Sequence, residues 1–257
     1  MSSHEPSNQY PLQSHAHPVA LIGGGPGAWD LITVRGMHRL QEAEVILCDH
    51  LGPTVELDKL CDTSNKELID VSKLPYGKQV AQEKINELLI EHALAGKKVA
   101  RLKGGDPYVF GRGFEELQAL AKRGIACEVI PGVTSAISVP ALAGIPITQR
   151  GVVHSFTVIS GHVPPGHPSS LNDFRALAHT GGTLAVIMGV KNAPHITQAL
   201  MDAGMDPNTP AVVIQEGSTE QQRSYHCTLG TLAHSMSEHD VHPPAVYVIG
   251  EVAGLGT

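Results

Sequence analysis

The chain has 257 residues, of which 42% are hydrophobic and 17% charged, so it has the composition of one large or two small globular domains and not of a disordered chain. Its net charge is −7 at pH 7, with 18 Lys and Arg against 25 Asp and Glu, which argues against a nucleic-acid partner bound through a broad basic face. Aromatic residues make up only 4%, too few to predict a platform on which bases stack.

Cysteine and histidine spacing predicts neither a disulfide framework nor a metal site. The four cysteines share no CxxC pattern, and the 15 histidines form no HExxH motif. No apolar run reaches the roughly 20 residues that span a bilayer, and the N-terminus lacks the basic-then-apolar pattern of a signal peptide. We therefore expect a cytoplasmic protein with no membrane partner.

The first half of the chain predicts alternating strands and helices. Residues 1–18 are polar and aperiodic, which predicts a disordered tail. Residues 19–22 predict a buried strand that leads into a glycine loop, and residues 30–43 predict a helix capped by Asp30. Further strands are predicted at 45–48, 99–102 and 127–130, and further helices at 82–95, 114–123 and 135–143, the last interrupted at Pro140.

The pattern changes near residues 144–153, and we place a domain boundary near Arg150, between domains of residues 19–150 and 151–257. Strands in the second half are predicted at 155–159, 183–188, 211–215 and 245–249. The alternation of strand and helix predicts an α/β fold with a mainly parallel first sheet.

The first glycine loop allows three interpretations. Residues 23–28 satisfy GxGxxA after a strand, and Asp49 ends the next strand, which is nearly the dinucleotide fingerprint of a nicotinamide-dependent oxidoreductase. Pro26, however, has no N–H, whereas anion-binding loops act through converging backbone N–H groups. A glycine turn that only lets strand and helix pack is the third interpretation.

Two more loops follow predicted strands, at residues 101–113 and 131–135. In an open α/β sheet, ligands bind at the carboxyl ends of the strands. Three such loops at one edge indicate a small-molecule pocket, in which Asp106 offers a carboxylate among glycines.

These segments resemble the uroporphyrinogen-III C-methyltransferases of the tetrapyrrole methylase superfamily, over about residues 19–252. The residues that carry the resemblance are GGGPG at 23–27, RLKGGDPYVFGRG at 101–113, PGVTSA at 131–136, AGIPIT at 143–148, SGH at 160–162, MG at 188–189 and VIGEV at 248–252. Ala28, Trp29, Leu74, Gln149 and Ile187 depart from the family pattern.

The resemblance implies a two-domain tetrapyrrole methylase fold, with a mainly parallel sheet in the N-terminal domain, a mixed sheet in the C-terminal domain and the active site in the interdomain cleft. It implies a homodimer that uses S-adenosyl-L-methionine as methyl donor, releases S-adenosyl-L-homocysteine and needs no metal. The implied tetrapyrrole substrate is uroporphyrinogen III, methylated at C2 and C7 to precorrin-2, a precursor of sirohaem and cobalamin.

The resemblance also assigns residues to the donor site. These are Pro26, Gly104, Gly105, Asp106, Val109, Phe110, Thr134, Ser135, Met188, Gly217 and Ala245. Judged by residue type alone, Met188 is more often a core residue than a ligand contact, and capping of the following helix is the alternative role for Thr134 and Ser135.

For catalysis, the resemblance makes Asp49 the proton acceptor and Lys73 the proton donor, although a structural cap and an ordinary exposed lysine are the alternatives. The substrate carries eight carboxylates, so local cations are expected to bind it. We predict Arg112, Arg150 and His162 as contacts, with Arg101, Lys103 and Lys191 as further candidates; surface ion pairs with Glu115 and Glu116 are the alternative for the cations.

A later corrin-ring methylase, a nicotinamide oxidoreductase and a non-catalytic tetrapyrrole-binding protein stay open as alternative functions.

Overall fold

The structure, a computed structural model, describes residues 17–73 and 78–256, without the side chains of residues 73 and 78–81. The predicted tail lies outside these residues except for His17 and Pro18. The chain divides into two compact units, one ending at Val133 and the other beginning at Thr134. This division falls ahead of Arg150, because Val139 and Ile145 pack into the core of the second unit.

The first unit is a parallel sheet with helices on both faces. Its strands are β1 (Val19–Gly23), β2 (Val45–Cys48), β3 (Glu67–Asp70), β4 (Val99–Lys103) and β5 (Cys127–Ile130), and its helices are α1 (Val34–Glu42), α2 (Lys78–Leu94) and α3 (Gly113–Ala121). The strand order is β3-β2-β4-β1-β5, and every pair is parallel. All five carboxyl ends therefore meet at one edge, as the predicted parallel sheet requires.

Burial on both faces explains why β1 and β2 are continuous apolar runs. One face packs against α1 through Ile22, Leu40 and Leu102. The other face packs against α2 and α3 through Leu89 and Leu120. The strand β3 was not predicted, because it is short and only partly buried.

The helix α1 begins later than predicted. Trp29–Leu31 form a separate 3-10 turn, and the N-cap of α1 is Thr33, whose Oγ1 accepts a hydrogen bond of 3.2 Å from the N–H of Gly36. The prediction that Asp30 caps this helix is wrong, because apolar spacing alone does not separate a 3-10 turn from the helix after it.

The second unit has a mixed sheet. Its helices are α4 (Ser135–Leu142), α5 (Phe174–His179), α6 (Ala193–Asp202) and α7 (Leu232–Glu238), and its strands are β6 (Phe156–Ser160), β7 (Thr183–Ile187), β8 (Pro210–Gln215), β9 (Arg223–Thr228) and β10 (Ala245–Ile249). The order is β6-β7-β10-β8-β9, in which only β6 and β7 pair in parallel. This confirms the mixed sheet that the resemblance implied.

Pro140 does not interrupt α4, contrary to prediction. The helix runs to Leu142 with Pro140 buried inside it. The fixed φ of proline is already helical, and in a helix of eight residues only one intrahelical N–H is lost. No described helix is both long and apolar enough to cross a membrane.

Candidate functional site at the carboxyl edges of the sheets

In the first unit, the glycine loop after β1 is hydrogen-bonded to the loop after β4. The N–H of Gly24 donates to the carbonyl of Lys103 at 2.8 Å, and Gly25 and Gly105 exchange bonds of 3.2 and 2.7 Å. These bonds use two N–H groups of the glycine loop, and Pro26 has none. Because α1 also begins only at Val34, after a 3-10 turn at Trp29–Leu31, the N-terminus of α1 does not follow this loop directly, which argues against a phosphate cradle.

The loop after β5 packs on the same two loops, backbone against backbone. A Cβ atom on Gly132 would lie 2.1 Å from the carbonyl oxygen of Gly105, and one on Gly23 would lie 2.4 Å from Cα of Gly132. Gly105 also has a φ of 66°, which glycine adopts without strain. The three predicted loops therefore form one surface, and glycine is required where they touch.

Asp106 ties this surface together. Its Oδ2 accepts a 2.9 Å hydrogen bond from the N–H of Gly132, and its Oδ1 accepts one of 2.8 Å from the N–H of Tyr108. An ionised carboxylate has about four lone-pair sites, so it can still accept hydrogen bonds from a ligand. The role of Asp106 in donor binding stays a prediction. The structure adds a second role, in which the carboxylate joins the loops after β4 and β5.

Side chains near Asp106 differ in how available they are to a ligand. Phe110 is 46% exposed and has a φ of 54°, a left-handed conformation that is costly for a bulky residue. Val109 and Pro26 are half-buried. Gly104 packs against Leu51, and a side chain is not tolerated there because a Cβ atom would lie 2.5 Å from Cβ of Leu51.

In the second unit, strand register brings together three of the predicted donor residues. Ala245 pairs with Gln215, and Val246 pairs with Ile187, so Met188, Ala245 and Gly217 lie at the same edge of the sheet. Met188 is 49% exposed with a φ of 55°, so it is not the core residue that its type alone allowed.

Thr134 and Ser135 open α4 in the same unit. Thr134 is the N-cap, but its side chain makes no capping hydrogen bond. A Cβ on Gly217 would lie 2.4 Å from Cγ1 of Val139. The loop after β8 thus packs closely on α4, which explains the glycine without any ligand.

Asp49 lies directly after β2 and is held through both carboxylate oxygens. Oδ1 accepts from the N–H of Leu51 at 3.1 Å, and Oδ2 lies 3.1 Å from Nη2 of Arg101. Its side chain is 22% exposed. The local bond to Leu51 is the structural role that we weighed against catalysis, and the two are compatible.

Arg101 and Lys103 are not available to a substrate, contrary to our wider set of candidates. Both side chains are buried, and both contact Glu116, with Nζ of Lys103 at 2.9 Å and Nε of Arg101 at 3.3 Å from Oε1. Burial, followed by the charge of Arg101, lowers the pKa of Lys103. Sequence reasoning considered Glu116 only as a surface ion-pair partner and missed that its side chain is buried. Two cations two positions apart on a buried strand were the available signal, since buried cations need an anion.

The remaining predicted residues lie in both units. Arg112 forms a forked ion pair with Glu115 at 2.8 and 2.7 Å, and this contact lowers the pKa of the Glu115 carboxyl. Lys73 ends a 3-10 turn, and its side chain lies outside the described residues. Arg150 is exposed in the second unit.

His162 follows β6 in a loop that is held by side-chain amides. Nδ2 of Asn192 donates to the carbonyls of Gly161 and His162 at 2.8 and 3.0 Å, and Nδ2 of Asn172 donates to the carbonyl of Ser160 at 3.3 Å. Our sequence reasoning did not identify these asparagines. Across residues 17–73 and 78–256, no three His, Cys, Asp or Glu residues group as metal ligands would.

The family model of the Tetrapyrrole (Corrin/Porphyrin) Methylases matches residues 18–233. The chain belongs to this family. It is 43% identical to an S-adenosyl-L-methionine-dependent uroporphyrinogen III methyltransferase of Methanosarcina barkeri, over 92% of each chain. It is also 43% identical to a uroporphyrinogen-III C-methyltransferase of Priestia megaterium, over 92% of this chain and 98% of the relative.

A solved structure gives the same result at the level of the fold. The uroporphyrin-III C-methyl transferase of Thermus thermophilus, complexed with S-adenyl homocysteine, superposes with a TM-score of 0.77 at 37% identity. The match covers 93% of this chain and 100% of that one. The tetrapyrrole methylase fold predicted from the sequence is thereby confirmed.

Proposed function

We propose that this chain transfers methyl groups from S-adenosyl-L-methionine to C2 and C7 of uroporphyrinogen III, giving precorrin-2 for sirohaem or cobalamin synthesis. The observation that carries the proposal is the 43% identity, over nearly the full length of both chains, to a methyltransferase named for this donor and substrate. We also propose that the enzyme is a cytoplasmic homodimer, as the resemblance implies.

The described residues fit the methyl donor. Phe110 and Met188 are large apolar side chains held half-exposed on left-handed backbone, a combination that clusters at ligand sites because a bound molecule offsets its cost. An adenine ring or the methionine stem would cover such side chains. We assign the donor to these residues together with Pro26, Gly104, Gly105, Asp106, Val109, Thr134, Ser135, Gly217 and Ala245.

The protein's task in such a reaction is orientation and proton removal. When bound, S-adenosyl-L-methionine supplies a methyl group on a sulfonium that is already electrophilic. The loops must hold the acceptor carbon within about 3–3.5 Å of that methyl and in line with it. After transfer the macrocycle loses a proton, and we propose that Asp49 accepts it. We propose Lys73 as the proton donor.

Substrate carboxylates need cations on a chain whose net charge is negative. We propose Arg112, Arg150 and His162 for this role, because guanidinium groups bind carboxylates in a forked geometry. Arg112 already forms that geometry with Glu115. A substrate carboxylate would therefore exchange with or share this contact.

The direct test is methyl transfer itself. Purified protein, incubated anaerobically under reducing conditions with uroporphyrinogen III and methyl-labelled donor, should place two labels on each macrocycle. A later corrin intermediate, supplied in competition, should remain unlabelled. Binding of uroporphyrinogen III without any label in the macrocycle would contradict the proposal and favour a non-catalytic binding protein.

Donor identity can be tested without turnover. S-adenosylhomocysteine should raise the melting temperature, because at about 100 times Kd a ligand of the native state adds roughly 2.7 kcal/mol of stability. NADH at the same concentration should leave it unchanged. The opposite pattern would favour the nicotinamide interpretation of the glycine loop.

The assignment of Asp49 predicts a separation of binding from turnover. Asp49→Asn should leave the Kd for S-adenosylhomocysteine unchanged and lower kcat by about 10²-fold or more, the usual contribution of a general base. Calorimetry and single-turnover labelling measure the two quantities. Unchanged turnover would remove Asp49 from the catalytic residues.

A further inference from the structure

A cluster of buried charges lies beneath the loop after β4. Arg101 and Lys103 on β4 and Glu116 on α3 have side chains that are at most 5% exposed. Oε1 of Glu116 accepts from Nζ of Lys103 at 2.9 Å, from Nε of Arg101 at 3.3 Å and from Nε2 of Gln82 at 3.3 Å. Oε2 of Glu116 is buried and has no hydrogen-bond partner among the described residues.

Such a cluster is a poor way to stabilise a fold. Removing charges from water costs several kcal/mol per ion, and a well-packed apolar group of similar volume often serves stability equally well. The presence of the cluster is better explained by the side chain that it orients. That side chain is Asp49, which Arg101 contacts at the carboxyl edge of the sheet.

Arg101 connects the two carboxylates through two nitrogens of one rigid plane. Its Nε contacts Glu116, its Nη1 donates to the carbonyl of Leu102 at 2.7 Å, and its Nη2 contacts Asp49 at 3.1 Å. A guanidinium plane held at two points has little freedom to turn about the third. The contact with Glu116 therefore sets where Nη2 points.

We propose that Glu116 is a positioning residue for the carboxylate of Asp49 and acts through Arg101. The inference rests on the proposed function, in which Asp49 accepts the proton released after methyl transfer. Arg101 holds Oδ2, and the N–H of Leu51 holds Oδ1. The orientation of the Asp49 carboxylate is thus set by Arg101, which Glu116 holds in place.

The test uses Glu116→Gln in the full-length enzyme. We expect kcat to fall about tenfold, which corresponds to 1.4 kcal/mol. The Kd for S-adenosylhomocysteine should change less than about twofold, since among the described residues the Glu116 side chain bonds to Gln82, Arg101 and Lys103 and to none of the proposed donor residues. The matched control is Glu87→Gln, which removes an exposed ion pair with Lys84. It should leave kcat and Kd at wild-type values.

A double-mutant cycle separates positioning from a structural role. In an Asp49→Asn background, Glu116→Gln should cause no further loss of kcat, because the group that it positions is already disabled. An equal fold-loss in both backgrounds would overturn the proposal.

Crystal structures test the same contact without activity. In Glu116→Gln, the distance from Nη2 of Arg101 to Oδ2 of Asp49 should lengthen beyond hydrogen-bonding range; an unchanged distance would overturn the proposal. If the single variant fails to fold, the charge-balanced Glu116→Gln/Lys103→Met variant takes its place. If the wild-type enzyme methylates nothing, the proposed function fails, and this distance still decides whether Glu116 positions Asp49.

Discussion

At the scale of single residues, Asp106 shows how one side chain serves the fold and a candidate site together. Its carboxylate bridges the loops after β4 and β5 through two backbone N–H groups. Hydrogen bonds to an ionised acceptor contribute about 1.5–3 kcal/mol. The donor-binding surface therefore depends on Asp106 even before any contact with the donor.

Asp106→Ala should accordingly weaken the protein and the site at once. We expect a loss of about 1–3 kcal/mol in the free energy of unfolding and a Kd for S-adenosylhomocysteine at least about tenfold higher, since the loops that would hold the ligand lose their register. Urea denaturation and calorimetry measure the two effects. Asp62→Ala is the control, because it removes local hydrogen bonds with Ser64, and equal effects of the two variants would contradict the role of Asp106 in the loops.

At the scale of secondary-structure elements, the start of α1 distinguishes this glycine loop from a dinucleotide-binding loop. A dinucleotide fold directs a helix N-terminus at the ligand immediately after the glycines. Here a 3-10 turn intervenes, and Thr33 caps the helix instead. The positive end of the α1 dipole is therefore satisfied by a side chain away from the glycines.

The position of this cap can be measured. Thr33→Ala should lower the free energy of unfolding by about 1 kcal/mol, as loss of an N-cap does. Asp30→Ala, at the position that apolar spacing suggested, should change it by no more than about 0.5 kcal/mol. Chemical denaturation distinguishes the two, and a larger effect of Asp30→Ala would place the helix start where the sequence alone placed it.

At the scale of the whole molecule, each unit has a partly buried thiol, Cys127 in the first and Cys227 in the second, and this links stability to alkaline pH. Burial, with a smaller effect of the Glu116 charge, raises the pKa of Cys127 from 9.0 to about 12, and burial raises the pKa of Cys227 to about 11. The folded protein therefore keeps these protons at pH values where the unfolded chain has lost them. Their contribution to stability is complete below about pH 9 and is lost as pH rises through the folded pKa values.

We therefore expect the free energy of unfolding to fall between about pH 9 and 11, by up to about 1.4 kcal/mol per pH unit for each thiol. Denaturation of the wild type and of Cys127→Ala/Cys227→Ala across this range measures the slope. The double variant should show a shallower fall. Parallel slopes for the two proteins would show that the thiols do not titrate differently on folding.

The sequence by itself determined the strands β1, β2, β4, β5, β6, β7, β8 and β10 within about one residue at each end, and it identified the three loops at the carboxyl edge of the parallel sheet. It could do so because buried strands are mostly apolar runs and because left-handed backbone in turns favours glycine. The edge strands β3 and β9, which are exposed over much of their length, lacked such a signal and were missed. The helices α5, α6 and α7 were also missed, although α6 buries Ala193, Ile196 and Leu200 at helical spacing.

Only the tertiary structure decided which charges are internal. Arg101 and Lys103 read as cations for a substrate, yet Glu116, more than ten residues further along the chain, neutralises them inside the first unit. Register likewise placed Met188, Ala245 and Gly217 at one sheet edge although each lies on a different segment. The physical reason is that apolar periodicity and glycine are local properties, whereas the partner of a buried charge is set by which distant elements the fold brings into contact.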